Sequence, residues 1–264
     1  MKRTLLSTLL LLGVAGLAGP LAAEELTADE VADRAAASSY YQGEDGRAEV
    51  TMTITDRQGR ERKRELIILR RDMGADLGKQ RFYVFFLDPA DVRRTAFLVW
   101  KNPTADDDRW LYLPALDLVR RIAASDERTS FVGSDFFYED VSGRAPEEDE
   151  HELVEVTDTY YVLRSTPKDP GNVEFASYTT YIHKDTFLPV QTEYRDSNGE
   201  VYRTYTVEEV ETIDGHPTVV RSRMTDEESG GFTVLEYEDV EYGVDLGEDL
   251  FTERYLRNPP AEVQ

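Results

Sequence analysis

Three dipeptides, Asn198-Gly199, Asp214-Gly215 and Gly230-Gly231, recur at intervals of 16 residues. Each is a two-residue β-hairpin loop, because glycine reaches the left-handed backbone that such turns need without a steric penalty. The runs around them, 176–183, 188–195, 200–210, 217–225 and 232–242, are rich in Tyr, Thr and Val, which suit a pleated surface. A chain punctuated in this way folds as an antiparallel meander, and the polarity of its strands predicts a sheet with one wet and one buried face.

The N-terminal half extends the same sheet. Thr27-Ala28-Asp29-Glu30 has the form of a capping box, which predicts one amphipathic helix over about 28–41. Ala48, Val50, Met52 and Ile54 then alternate with polar residues, the period of a half-buried strand. Asp56-Arg57-Gln58-Gly59 turns the chain. Residues 66–69 and 82–87 are continuous apolar runs, as expected of strands covered on both faces. Residues 147–152 read as a solvated acidic loop. No Gly/Pro/Ser-rich linker divides the chain, so 24–264 is expected to form a single domain. The expected architecture is mainly β (α+β): one strongly curved antiparallel sheet of about ten or more strands, with a long N-terminal helix against its concave face.

Lys2 and Arg3, the apolar stretch 5–17 and Leu21-Ala22-Ala23 read as a cleaved signal peptide over 1–23, so the expected location is periplasmic. The sequence has no cysteine, which excludes disulfides, thiolate metal sites, a cysteine nucleophile and a lipid-anchored N-terminus. A soluble protein rather than an integral membrane protein is expected. The net charge is -23, and becomes -25 once Lys2 and Arg3 are removed. Such a field repels phosphates, so nucleic acid is not an expected partner. The charge is uneven: residues 24–130 carry net -3 and residues 131–264 net -22. Few of the basic residues are lysine, a balance suited to high external salt.

Candidates for chemistry are few. Asp196-Ser197-Asn198-Gly199-Glu200 has the opening of a calcium loop but reads as a hairpin turn, and Asp106 to Asp108 reads as a solvated loop. Gly133-Ser134-Asp135 lacks the second glycine of a nucleophile elbow, and Ser134 is expected to cap a short helix containing Phe136, Phe137 and Tyr138. His151, His183 and His216 have no paired spacing. No metal, cofactor or catalytic constellation is expected. A hydrolase built on Ser134 would need a histidine and an acid brought to it by the fold.

The fuller signal is apolar. Aromatic residues crowd between Phe82 and Phe137, more than strand packing requires, which suggests an incompletely filled concave face and a cavity for an apolar ligand. The candidate lining residues are Val50, Met52, Ile54, Phe85, Phe97, Val99, Trp110, Tyr112, Phe131, Phe136 and Phe137. The Arg-rich hairpin carrying Arg57, Arg60, Arg62 and Arg64 is the candidate docking face for a partner.

Asp88-Pro89, the run 94–100, the run 110–116, Arg120-Arg121-Ile122 and the run 131–140 together resemble the outer membrane lipoprotein-sorting family, in its LolA-like branch typified by an uncharacterised treponemal domain. The resemblance extends over about 25–258. It implies a half-open antiparallel barrel whose hydrophobic concave face is lidded by short helices. It also implies a non-enzymatic periplasmic carrier of lipid or lipoprotein acyl chains between inner and outer membrane, with an inner-membrane transporter and an outer-membrane acceptor as partners. The alternative is a non-enzymatic periplasmic adaptor of an inner-membrane transporter.

Overall fold

The computed structural model describes residues 26–264 apart from 41, 75–77 and 104; the expected leader, 1–23, lies outside the described residues. Helix α1 (Ala28–Tyr40) opens on the expected capping box, with the Glu30 amide donating to Thr27 Oγ1 at 3.2 Å and the Thr27 amide to Glu30 Oε2 at 2.8 Å. Six strands follow: β1 (Asp45–Thr55), β2 (Glu61–Asp72), β3 (Gln80–Asp88), β4 (Ala96–Trp100), β5 (Asp108–Leu113) and β6 (Leu118–Ile122). The connection 123–148 contains the short helix α2 (Tyr138–Ser142). Seven more strands complete the sheet: β7 (Asp149–Val156), β8 (Tyr160–Pro167), β9 (Ser177–His183), β10 (Pro189–Arg195), β11 (Val201–Ile213), β12 (His216–Asp226) and β13 (Phe232–Tyr242). A closing segment carries the one-turn helix α3 (Arg254–Arg257).

The 13 strands of the described residues form one sheet, ordered β6-β5-β4-β3-β2-β1-β13-β12-β11-β10-β9-β8-β7. Every pair is antiparallel, and every pair except β1–β13 joins neighbours in sequence. Strands β6 and β7, consecutive along the chain, therefore lie at opposite edges. The sheet is open and curved, and the connection 123–148 has to cross from one edge to the other.

Register decides which face each side chain meets. Val50 pairs with Leu66 on one side and Tyr237 on the other, Leu66 with Phe86, and Val84 with Phe97. Paired residues share a face, so these side chains all stand on the concave side, where the connection 123–148 packs Phe131, Phe136 and Tyr138 onto them. Helix α1 lies on the same side further along, with Val31, Ala32 and Ala35 against Leu163 and Ile182. On the convex side the closing segment packs Leu246, Leu250, Phe251, Leu256 and Val263 over Ile67, Leu69, Tyr83, Phe85 and Leu98. Strands β2–β4 are thus covered on both faces, which accounts for the continuous apolar runs at 66–69 and 82–87.

The expected acidic loop at 147–152 is corrected by the fold. Residues from Asp149 onward form the edge strand β7, whose outward glutamates keep an unpaired edge in water. Asp149 itself is buried, held by Arg144 Nε at 3.0 Å and by the Tyr178 hydroxyl at 2.5 Å. Its charge is absorbed by partners that the local sequence does not reveal.

Candidate functional site

The concave face encloses a cavity of about 320 Å³. Its inner wall is apolar, formed by Val50, Met52, Leu66, Ile68, Phe82 and Val84 from β1–β3, closed below by Phe131 and Phe136 of the crossing connection. Met224 and Leu235 complete this wall from β12 and β13. The rest of the lining carries hydroxyls: Tyr194, Tyr205 and Tyr237 border the cavity with Thr192, Ser222 and Tyr40, Tyr237 directly beside Val50 and Tyr205 beside Met224. The mouth is at the end where Arg47, Val219, Val240, Glu241 and Tyr242 meet the C-terminal end of α1.

The crossing connection acts as a lid and is fastened on several sides. Phe131 stacks within 5.8 Å of Phe86 and 5.4 Å of Phe97, and Tyr138 lies 5.2 Å from Phe97. From β5, Arg109 pairs with Glu127 of the lid and with Asp107. Arg128 bridges Glu127 at 2.7 Å and Glu139 at 3.1 Å. At the end of β4, Lys101 Nζ donates to the Ser142 carbonyl at 3.1 Å. From β11, the buried Arg203 pairs with Asp140 and lies 3.9 Å over the Phe137 ring. Gly143, at φ 75°, has no room for a side chain: a Cβ would come within 2.5 Å of the Tyr40 ring.

The sequence-derived lining residues divide between the two faces. Val50, Met52, Phe131 and Phe136 line the cavity. Ile54, Phe97 and Val99 stand on the same side but are sealed in the packing beneath the lid. Phe137 faces Arg203 rather than the cavity. Phe85, Trp110 and Tyr112 are on the convex side, in the core under the closing segment. They are one residue out of phase with Val84 and Leu111, and a period of two sends them to the other face.

Ser134 does not cap a helix. Its hydroxyl donates to the Phe131 carbonyl at 2.8 Å, while α2 starts at Tyr138 with Asp140 accepting the Phe137 amide at 2.6 Å. Its local task is to fold the lid loop back on itself. The histidines bond elsewhere: His151 to Ser165 and the Pro146 carbonyl, and His183 to Thr186, while His216 lies against the Tyr242 ring. Among the described residues no cluster of three or more His, Asp or Glu is arranged to hold a metal ion. Among them, too, no helix is long and apolar enough to cross a membrane.

The Arg-rich hairpin is less uniform than its sequence implies. Arg60 pairs with Asp56 at 2.7 Å, and Arg62 reaches the Gly133 carbonyl at 3.4 Å. Arg64 is buried on the concave side opposite Met52, where burial lowers its pKa. Arg57 is exposed.

Sequence reasoning missed the tyrosines of the lining. Tyr194 and Tyr205 read as ordinary strand formers, and only the pairing of Thr192 with Tyr205 and of Tyr205 with Met224 brings them to the cavity. Burial pushes the Tyr205 hydroxyl up to about 12 and raises those of Tyr40, Tyr194 and Tyr237. All four rings nevertheless keep some accessible surface, because that surface borders the cavity.

A family model described as an uncharacterised protein matches residues 78–258. A DUF1329 family protein from Desulfovibrio piger is 30% identical with a TM-score of 0.80, covering 87% of this chain and 97% of that one. A domain from Vibrio parahaemolyticus, named for outer membrane lipoprotein sorting, is 28% identical with a TM-score of 0.78, covering 87% and 98%. The chain belongs to the LolA-like family. A LolA superfamily protein from Nitrosomonas europaea, 22% identical, shares the fold of this LolA-like chain with a TM-score of 0.68 over 88% of it and all of the other. No curated protein matches the LolA-like chain.

Proposed function

We propose that this protein is a soluble, exported carrier that takes lipid, or the acyl part of a lipid-modified protein, into its concave cavity and moves it across the periplasm between inner and outer membrane. The observation that carries the reading is the apolar cavity kept open between the sheet and a lid fastened from both halves of it. A filled core would have closed this space, since interiors pack to crystal-like density. The names of the Vibrio and Nitrosomonas relatives agree with it. No catalytic group is required by such a role.

An acyl chain of about 16 carbons gains roughly 13 kcal/mol on leaving water, at about 0.8 kcal/mol per methylene. Two chains fully buried would exceed the practical ceiling of about 18–21 kcal/mol for non-covalent binding. A working carrier therefore holds its cargo incompletely, or is opened by a partner such as an inner-membrane transporter or an outer-membrane acceptor. Arg57, Arg60 and Arg62, at the tip of the β1–β2 hairpin, are the proposed contact for such a partner. Among them Arg57 and Arg62 have the freer charge.

Ala48 borders the cavity near its mouth without belonging to the sealed core. Ala48→Trp is expected to fill the entrance, leave the melting transition within a few degrees of the parent, and abolish the lipid recovered in organic extracts of gently purified protein by mass spectrometry. A parent protein that yields no lipid, or a variant that yields as much, sinks the carrier reading.

A further inference from the structure

The lining of the cavity combines apolar and hydroxyl-bearing side chains, and its interior charges are already paired. Of the cations that border it among the described residues, Arg47 is paired with Glu49 at 2.7 Å. Arg70 is tied to Asp72 at 3.0 Å and to the Tyr40 and Gly43 carbonyls. Asp140 is taken by Arg203. Glu241, at the exposed rim, adds negative charge where a ligand enters.

What the interior offers instead is oxygen. Tyr205 and Tyr237 pair across the sheet with Thr192 and Val50, and their hydroxyls, held neutral by burial, can both donate and accept. They stand beside the apolar side chains that line a space of about 320 Å³, the lower end of the roughly 300–1,000 Å³ of small-molecule sites. That is room for one slender chain or a fused-ring skeleton, not for a three-chain lipid anchor.

We propose that the resident ligand is an uncharged, single-chain or ring-shaped amphiphile bearing a hydroxyl or carbonyl oxygen, its apolar body against Val50, Leu66 and Val84 and its oxygen against Tyr205 and Tyr237. The inference rests on the carrier reading and narrows its cargo. A carboxylate or phosphate head would meet no free cation among the described residues that line the cavity, since the unpaired Arg64, buried next to Met52, is not one of them, and the head would lose its hydration without replacement. An ammonium head would find Asp140, the buried-side carboxylate among the described lining residues, already bound by Arg203. A long-chain alcohol, a sterol-like polycycle and a quinone share the required chemistry.

The test uses hexadecan-1-ol, palmitate and hexadecylamine as competitors for an apolar fluorescent dye bound to the full protein at pH 8. The alcohol is expected to displace the dye at least tenfold better than either charged probe. Palmitate should gain affinity as pH falls through the carboxylate range, because its protonated form binds. Tyr205→Phe and Tyr237→Phe should each weaken the alcohol by about three- to tenfold, the worth of one hydrogen bond, with an unchanged melting transition. Sterol and quinone probes then separate the possible sources. Equal binding of all three probes, or tyrosine variants that bind the alcohol like the parent, overturns this inference and leaves the carrier reading standing. No dye binding and no probe binding removes both.

Discussion

Asp135 sits where the lid meets β13. Its carboxylate accepts the Thr233 hydroxyl at 2.6 Å, and its amide donates to Thr233 Oγ1 at 3.0 Å. Burial raises its pKa above the ordinary 3.8, outweighing the Thr233 hydrogen bond. A carboxyl that holds its proton more tightly when folded adds stability that is complete below about 3.9 and is lost as pH rises through its raised value. Asp135→Asn keeps the shape and removes the titration. The variant is expected to melt higher than the parent at pH 7.5 and to show a shallower rise in Tm between neutrality and about pH 4. Two parallel Tm–pH curves would mean that Asp135 carries no folding-linked proton. The same scale shows what the sequence could convey. The alternation of Val50 and Met52 is a local property that fixes their shared face, and both border the cavity. Trp110 and Phe85 stand in the convex core because aromatic type, which makes them candidates, says nothing about phase.

At the scale of elements, the crossing connection carries the energetic risk. Arg203 reaches from β11 to Asp140 of α2, to the Asp135 carbonyl at 3.2 Å, and across the Phe137 ring. Removing one member of a buried pair strands the other, at a cost of about 3–5 kcal/mol. Arg203→Ala should therefore lose about that much in denaturant unfolding, and amides 127–143 should exchange faster than those of β1–β3 under native conditions. A loss below about 1 kcal/mol, the worth of an exposed pair, would show that the lid does not depend on this tie. The elements themselves were largely legible: the glycine turns, the capping box and the apolar runs each rest on neighbours in sequence. Asp214 and Gly215, at φ 51° and 84°, form the turn that their identities require. The fastenings of the lid were not legible, since they run from Arg109 to Glu127, Lys101 to Ser142 and Arg203 to Asp140. Charged residues in a loop read as solvated until their partners are placed.

For the whole molecule, the order of strands divides the sheet into two hairpin-built halves, β1–β6 and β7–β13, sewn together by the single pairing of β1 with β13. In the near-neutral half strands β2–β4 are covered on both faces, while the strands of the strongly acidic half, with their Tyr/Thr lining, leave their convex face without such a cover. Local pairings cost little loop entropy, whereas the central seam closes almost the whole chain. Pulsed hydrogen exchange during refolding is expected to protect β11–β12 amides before those at the β1–β13 seam; protection of the seam first would contradict this. During synthesis β1 emerges early and meets β2 at once, but its other edge stays bare until Phe232 and the residues after it exist. For that interval residues 45–55 present an open template with Val50 and Met52 unburied, the geometry that invites pairing with a wrong strand. A chaperone that keeps the nascent chain from aggregating would have to shield that segment before any other.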